Sequence, residues 1–299
     1  MTVIDPTSIP FIWATLITNK NYLQGVLTLN YSLIKVKSKY PLIALYTDQL
    51  DENSLQSLSN ANILTLKIDS LNPTNSNINK NLFHDKRFFD TWSKLYFFKL
   101  IQFKRIIQLD SDMLIMKNID ELMDLSLNNK KFASTHACVC NPLKKSHYPK
   151  DWLPSNCAFT NYDSNIINNE ILGPSCKSGL SKCNSGLLIV EPSIESFNII
   201  LDTLNNDLKT QSYLFPDQDL LADVFHQDWL PISHNYNCLK TYKQFHPQLW
   251  DISKIKIIHY ILAPKPWDVN SSNYIDESET FHLWWNENNE RLSSLKNLN

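Results

Sequence analysis

The sequence predicts an α/β fold on a mostly parallel sheet, and two observations carry that prediction. Between residues 11 and 68, apolar β-branched runs alternate with stretches of helical spacing, an order that needs crossover helices on the faces of a parallel sheet. Farther along, the apolar run Arg105–Leu109 ends abruptly in Asp110-Ser111-Asp112. In an open α/β sheet the carboxyl rim is where ligands bind, so this run delivers charge to a binding edge.

Each element follows from local pattern. Phe11–Thr18 reads as the first strand. A helix from about Lys20 to Val36 carries Leu23, Val26, Leu27, Leu33 and Ile34 on one face. Leu42–Tyr46, after Pro41, is a second strand; Asp51 caps a short helix to Leu58, and Ile63–Ile68 is a third strand. Residues 70–90 have no apolar period and read as a loop. A helix over about Thr91–Phe103 precedes the Asp110 strand, and a helical turn is expected at Ile119–Asp124. The second half offers a strand at Gly186–Val190, a helix at Ser193–Leu204 and a helix at Asp217–Phe225 capped by Asp217. A strand at Lys256–Ile261 and a polar helix at Asp276–Leu298 close the chain. No repeat or linker interrupts it, so residues 1–299 are expected to form one domain.

Composition narrows the function classes. At 43% hydrophobic and 19% charged the chain is an ordinary globular protein. A net charge of −2 leaves no basic footprint for nucleic acid. The N-terminus lacks the basic segment of a signal peptide. No apolar run approaches the ~18 residues of a membrane span, since Lys99 interrupts the best stretch, Leu95–Phe103. A cytoplasmic location is the resulting expectation. The cysteines at 138, 140, 157, 176, 183 and 238 are expected to be reduced thiols in so long a chain. A zinc site from Cys138, Cys140 and the later cysteines would lack the usual Cys-x-x-Cys pair.

Asp110 and Asp112 lie one residue apart and repel unless a cation sits between them or one stays protonated. A hard divalent ion shared with a diphosphate resolves that repulsion; turn capping is the competing reading. Four further segments belong with the pair. Thr18-Asn19-Lys20-Asn21-Tyr22, after the first strand, offers a hydroxyl, an amide and a ring for a nucleobase, or else a helix cap. Cys183-Asn184-Ser185-Gly186 places a two-way amide and a close-approach glycine before a strand. Asp217-Gln218 offers a carboxylate and an amide to sugar hydroxyls. His259 ends a buried strand as a candidate metal ligand, and Lys265 supplies a point charge for phosphate.

In this order the segments resemble glycogenin-type glycosyltransferases, family 8, which also contains the plant galactinol synthases. The resemblance spans about Phe11 to Trp267. Its matching stretches are Ala14–Asn19 with Tyr22–Gly25, Asp110-Ser111-Asp112 with Asn118–Leu122, Asn184-Ser185-Gly186, Asp217-Gln218, and His259-Tyr260 with Lys265-Pro266-Trp267.

That resemblance implies a GT-A fold, a single Rossmann-like nucleotide-sugar-binding domain. Residues 11–125 would be its nucleotide-binding half, 126–275 its acceptor and sugar half, and 276–299 a C-terminal helix. It implies Mn2+ held by Asp110, Asp112 and His259, and a UDP-sugar as donor. Leu16, Thr18, Asn19 and Tyr22 would line the uridine pocket, with Ser111 in the metal motif; Lys94 would lie near the donor and Lys265 on the diphosphate. Asn184, Asp217 and Gln218 would face the sugar as the catalytic group. The implied activity is retaining hexosyl transfer of glucose, galactose or N-acetylglucosamine, and a homodimer is a further expectation.

Two departures matter. Leu262 stands where the family commonly has a glycine against the diphosphate. Gln244 stands where the self-glucosylated tyrosine of glycogenin would fall, with Tyr242 nearby but out of register. A separate acceptor is therefore expected, which could be a small molecule, a glycan or a protein. Two alternatives remain. One is a non-catalytic UDP-sugar-binding member of the fold, suggested by Leu262. The other is a haloacid-dehalogenase-type phosphohydrolase, against which Leu114 stands where Thr or Val is wanted.

Overall fold

Burial on both faces accounts for the composition of the central strands. A computed structural model describes residues 8–73, 86–160, 162, 171–206, 208–272, 274–275 and 280–296. Its strands are β1 (Phe11–Ile17), β2 (Leu42–Tyr46), β3 (Leu64–Lys67), β4 (Arg105–Leu109), β5 (Met113–Ile115), β6 (Phe132–His136), β7 (Cys183–Val190), β8 (Leu230–Pro231), β9 (Cys238–Leu239) and β10 (Ile257–His259). Along β1, Trp13 and Ile17 enter one apolar cluster with Val26 and Leu33, while Ile12 and Ala14 enter another with Phe97 and Phe103. That period of two, with both faces covered, is the signature of a buried parallel strand.

The main sheet has seven strands in the order β3-β2-β1-β4-β7-β6-β8. β1 pairs in parallel with β2 and β4, and β2 with β3; β7 runs antiparallel between β4 and β6, and β8 is parallel to β6. The sheet is mostly parallel, as the sequence predicts. The chain winds outward from β1 to β3 and resumes on the other side at β4. The switch point therefore falls between the carboxyl ends of β1 and β4. A second sheet, β5-β10-β9, stands beside it.

The helices are α1 (Leu23–Lys35), α2 (Glu52–Asn60), α3 (Ile194–Asn206), α4 (Pro216–Val224), α5 (Tyr242–Phe245) and α6 (Phe281–Lys296). Asp51 caps α2 as expected, accepting the Ser54 N–H at 3.0 Å. The helix expected at 20–36 is split, because the Asn19 side chain caps a separate 3-10 turn, Lys20–Tyr22. The helix expected at 91–103 is a 3-10 run, Lys86–Lys99. Trp92, Leu95 and Phe98 are all buried in one cluster, and a spacing of three suits a three-residue turn. Much of the loop expected at 70–90, and residues 276–279 and 297–299 of the expected last helix, lie outside the described residues.

Two expectations need correction. Asp217 does not cap α4. Asp219 reaches back to the N–H groups of Leu214 and Phe215 at 3.1 and 3.0 Å, which leaves Asp217 in the first turn for another partner. The C-terminal helix is less polar in its contacts than in its composition, since Phe281 and Trp284, three apart, plunge into the cluster around β9 and β10. Its other side meets α1 through Lys35 with Glu287 and Glu290, and through Arg291 with Gln24. No described helix is long and apolar enough to cross a membrane.

Candidate active site

A single turn assembles the acidic pair. β4 ends at Leu109, and the Met113 N–H bonds back to the Asp110 carbonyl at 3.2 Å, handing the chain from the main sheet into β5. β10 pairs antiparallel with β5 in the register His259↔Met113, and the Tyr260 N–H donates to the Asp112 carbonyl at 2.9 Å. Strand pairing thus carries an imidazole across 147 positions of sequence to the aspartates. His259 Nε2 lies 3.2 Å from Asp112 Oδ1 and 3.8 Å from Asp110 Oδ2.

The imidazole is itself held. Asn237 Oδ1 sits 2.8 Å from His259 Nδ1, and the Asn237 amide donates to Asn184 Oδ1 at 2.9 Å and to Thr135 Oγ1 at 3.1 Å. Because that amide spends its N–H groups on two oxygens, its own oxygen faces the ring, and His259 Nδ1 is the protonated nitrogen. Nε2 is then a bare lone pair aimed at the carboxylates, the arrangement metal-ligating histidines use. Gly186 completes the cradle, since a Cβ there would lie 2.4 Å from His259 Cε1 and 2.9 Å from Asn184 Oδ1. Gly25 does the same for the acidic turn, where a Cβ would lie 2.3 Å from the Ser111 carbonyl oxygen.

Two buried lysines neutralise the carboxylates. Lys94 Nζ bridges Asp110 at 2.8 Å and Asp217 at 3.2 Å, and Lys265 Nζ pairs with Asp112 while donating to the Tyr260 carbonyl at 2.8 Å. Burial works against the Lys94 charge, but Asp110 and Asp217 outweigh it and hold its pKa above the ordinary lysine value. Burial pushes Asp110 up; Lys94 opposes the rise and the neighbouring Asp112 adds to it. Asp112 is buried too, yet the Lys265 ammonium holds it well below the usual carboxylate range. One carboxylate is thus strongly anionic and the other easier to protonate, as expected for two acids sharing a site.

The acidic pair, His259, both lysines, Asn184 and Asp217 open onto one cavity of about 470 Å³ at the switch point. Leu16, Thr18, Asn19, Tyr22, Lys94, Asp110, Ser111, Asp112, Asn184, Asp217, Gln218, His259 and Lys265 all line it, so the structure brings every candidate residue together. Some are already committed. Asn19 Oδ1 accepts the Asn21 N–H at 3.1 Å, and Asn184 Oδ1 accepts from Asn237 and from the Gly186 N–H. The Asn19 amide nitrogen in turn reaches Thr18 Oγ1 at 3.5 Å. Lys265 points its ammonium at Asp112, beside the acidic pair.

Asp110, Asp112 and His259 each bring one ligand atom within 4.8 Å of the others. Two carboxylate oxygens and a bare imidazole nitrogen suit a transition-metal dication such as Mn2+, so the residues present fit the implied ion.

The family model for Glycosyl transferase family 8 matches residues 14–271. The chain belongs to that family. Galactinol synthase 2 of Solanum lycopersicum is 28% identical over 292 residues, covering 94% of this chain and 80% of the relative. Among solved structures, the galactosyltransferase LgtC, in complex with donor and acceptor sugar analogs, superposes with a TM-score of 0.60 at 14% identity, covering 93% of this chain and 96% of that one. The glycosyltransferase GlyE of Streptococcus pneumoniae TIGR4 gives 0.58 at 16% identity over 93% of this chain, which spans only 60% of the GlyE chain. The family 8 chain therefore has the GT-A fold, and the phosphohydrolase alternative falls.

Sequence reading missed three features of the site. Asn237 carries no local signal, and its burial beside His259 comes from the pairing of β9 with β10. The Lys94–Asp217 bridge joins residues from the 3-10 run and α4, which no local pattern links. The aromatic wall of Tyr148, Trp152 and Phe215 also lines the cavity; Trp152 stacks on Phe215 at 4.9 Å between ring centres.

Proposed function

We propose that this family 8 protein is a metal-dependent, retaining hexosyltransferase that moves a hexose from a UDP-sugar to a separate acceptor. The observation that carries the reading is the convergence of Asp110, Asp112 and His259 Nε2 on one cavity at the switch point. These three would hold Mn2+, whose chemistry when bound is to stabilise negative charge on the departing diphosphate. Leu16, Thr18, Asn19 and Tyr22 border the rim where the uridine would lie, with Ser111 beside them. Lys265 stands next to Asp112, where it can share its charge with the diphosphate. Lys94, locked between Asp110 and Asp217, holds both carboxylates in place. Asp217, Gln218 and the amide nitrogen of Asn184 would meet sugar hydroxyls. Residues 11–125 then serve the nucleotide and 126–275 the sugar and acceptor, in a cytoplasmic setting.

Two observations favour turnover onto an outside acceptor. Tyr242 is only 1% exposed, packed in the cluster around β10, and presents no hydroxyl for self-modification. Leu262 holds φ +66°, the backbone region glycine supplies most readily. The chain thus keeps a glycine-like path at that turn, which removes the main reason to prefer a non-catalytic member. Galactinol synthases among the relatives put galactose first among the donors to try. Incubation with UDP-galactose, UDP-glucose or UDP-N-acetylglucosamine and Mn2+ should release UDP slowly by hydrolysis. Absence of both UDP release and calorimetric UDP binding would overturn the proposal.

A further inference from the structure

Away from the acidic pair, Cys138, Cys140, Cys157 and His246 present three sulfurs and one imidazole nitrogen, all within 4.8 Å of one another. His246 Nε2 lies 3.3 Å from Cys138 Sγ and 3.2 Å from Cys140 Sγ. All three thiols are free. We infer that these four residues form a closed, structural zinc site that is distinct from the acidic site.

Geometry and chemistry agree on the ion. A tetrahedral zinc with Zn–S near 2.3 Å and Zn–N near 2.0 Å holds its ligand atoms about 3.4–3.8 Å apart, within the span observed. Three thiolates and one imidazole fill all four positions and leave none for substrate, the composition of a structural centre. The ring is oriented for it. Nε2 faces the sulfurs, while Nδ1 lies 3.5 Å from the Gln248 side-chain amide, whose oxygen, with the amide turned, would accept the Nδ1 proton as an outer partner. The surroundings are apolar and aromatic, with Phe159 and Tyr242 edge-on to the imidazole, and nothing in sugar transfer calls for three thiols there.

The placement gives the site a purpose. Cys138 and Cys140 leave β6, Cys157 follows the 3-10 turn Pro154–Asn156, and His246 ends α5. The ion would tie both ends of the intervening loop to α5. That loop supplies Asn141, Leu143, Lys145, His147, Tyr148 and Trp152 to the cavity wall facing the acidic pair. A zinc clip would fix this wall, on the side where an acceptor would enter, without touching the reaction.

The test is metal analysis of the protein, purified without added metal and dialysed against a mild chelator to clear the acidic site of two carboxylates and one imidazole. About one zinc per chain should remain, released when the thiols are titrated with a mercurial. Exchange for cobalt should give thiolate-to-cobalt charge-transfer absorption, which two carboxylates and a histidine cannot produce. Cys157→Ser should lose the retained zinc and that absorption, while Asp110→Asn keeps both. If Cys157→Ser does not fold, the wild-type zinc count and cobalt spectrum decide alone. Retained metal with no thiolate absorption, no retained metal, or a disulfide among Cys138, Cys140 and Cys157 overturns the inference. None of these readouts depends on UDP or on sugar transfer.

Discussion

Asn237→Ala tests the central claim, that a buried amide makes His259 a metal ligand. Asn237 is 1% exposed and makes three hydrogen bonds, to His259 Nδ1, Asn184 Oδ1 and Thr135 Oγ1. At about 1 kcal/mol per bond, with further cost for partners left unsatisfied, the substitution should destabilise the fold by about 3 kcal/mol. For a chain of this size that is a fall in Tm of roughly 5 °C. The ring would also lose the partner that fixes its tautomer. Loss of such an outer partner weakens metal binding about 10–100-fold, equivalent to about 1.4–2.7 kcal/mol. Calorimetric titration with Mn2+, below the variant's Tm, measures the second effect directly. Asn237→Asp separates the two, because a carboxylate still accepts from Nδ1 but cannot donate to Asn184 or Thr135. It should recover most of the Mn2+ affinity while remaining destabilised. Wild-type Mn2+ affinity in Asn237→Ala, or equal weakness in both variants, would falsify the reasoning.

Three other outcomes are expected. Lys94→Met leaves Asp110 and Asp217 without their shared cation and should cost about 3–5 kcal/mol in urea unfolding; adding Asp217→Asn should restore part of it, and additive losses would refute the bridge. Leu262→Gly should change stability by less than about 1 kcal/mol, because relief at positive φ is offset by the freedom glycine adds to the unfolded chain, whereas Leu262→Val should be clearly destabilising; paired melting curves decide. Burial lowers the pKa of His234 to about 4, with only partial compensation from its bond to the Leu249 carbonyl. The unfolded chain therefore takes up the proton first, and stability should be flat above about pH 7, then fall by up to about 3 kcal/mol between pH 6.5 and 4. His234→Gln should flatten that part of the profile in urea melts at stepped pH.

The site was legible where chemistry and strand ends coincide. Asp110 closes an apolar run, Asp112 follows it by two residues and His259 ends a buried strand, so a charged rim was readable, and the order of the segments matched a family. Partners set by packing left no such trace. Asp217 does not cap α4, because it pairs with Lys94 while Asp219 reaches back to the chain before the helix, and two aspartates in one helical turn cannot be told apart by local pattern. The 3-10 run hid behind aromatic residues whose spacing of three and of four could not be separated. Asn237 and His246 lie beside their partners only because β9, β10 and α5 bring them there, and neither carries a local signal. Cys138 and Cys140 sit at no familiar zinc spacing, so the sequence favoured bare thiols; Cys157 and His246 close the set only in three dimensions.

Charge balance explains how the acidic pair exists at all. Two aspartates this close destabilise a fold unless their repulsion is answered, and the protein answers it with its own cations, Lys94 on Asp110 and Lys265 on Asp112. The fold is therefore stable before any ion arrives. Asp217 adds a third carboxylate through Lys94, so three carboxylates against two ammoniums leave this cluster with one net negative charge. In that state it repels a diphosphate. On the proposed function a divalent ion would turn the balance to one net positive charge, which would attract it, and in a buried setting a unit-charge pair a few ångströms apart is worth about 4 kcal/mol at an effective dielectric near 20. Lys265 would gain freedom with that ion bound, because Asp112 would no longer depend on it alone. On the proposed function Lys265 would thus do two jobs in sequence: with Lys94 it balances the acidic pair in the folded chain, and it would become available charge when a diphosphate approaches, while Lys94 stays between Asp110 and Asp217.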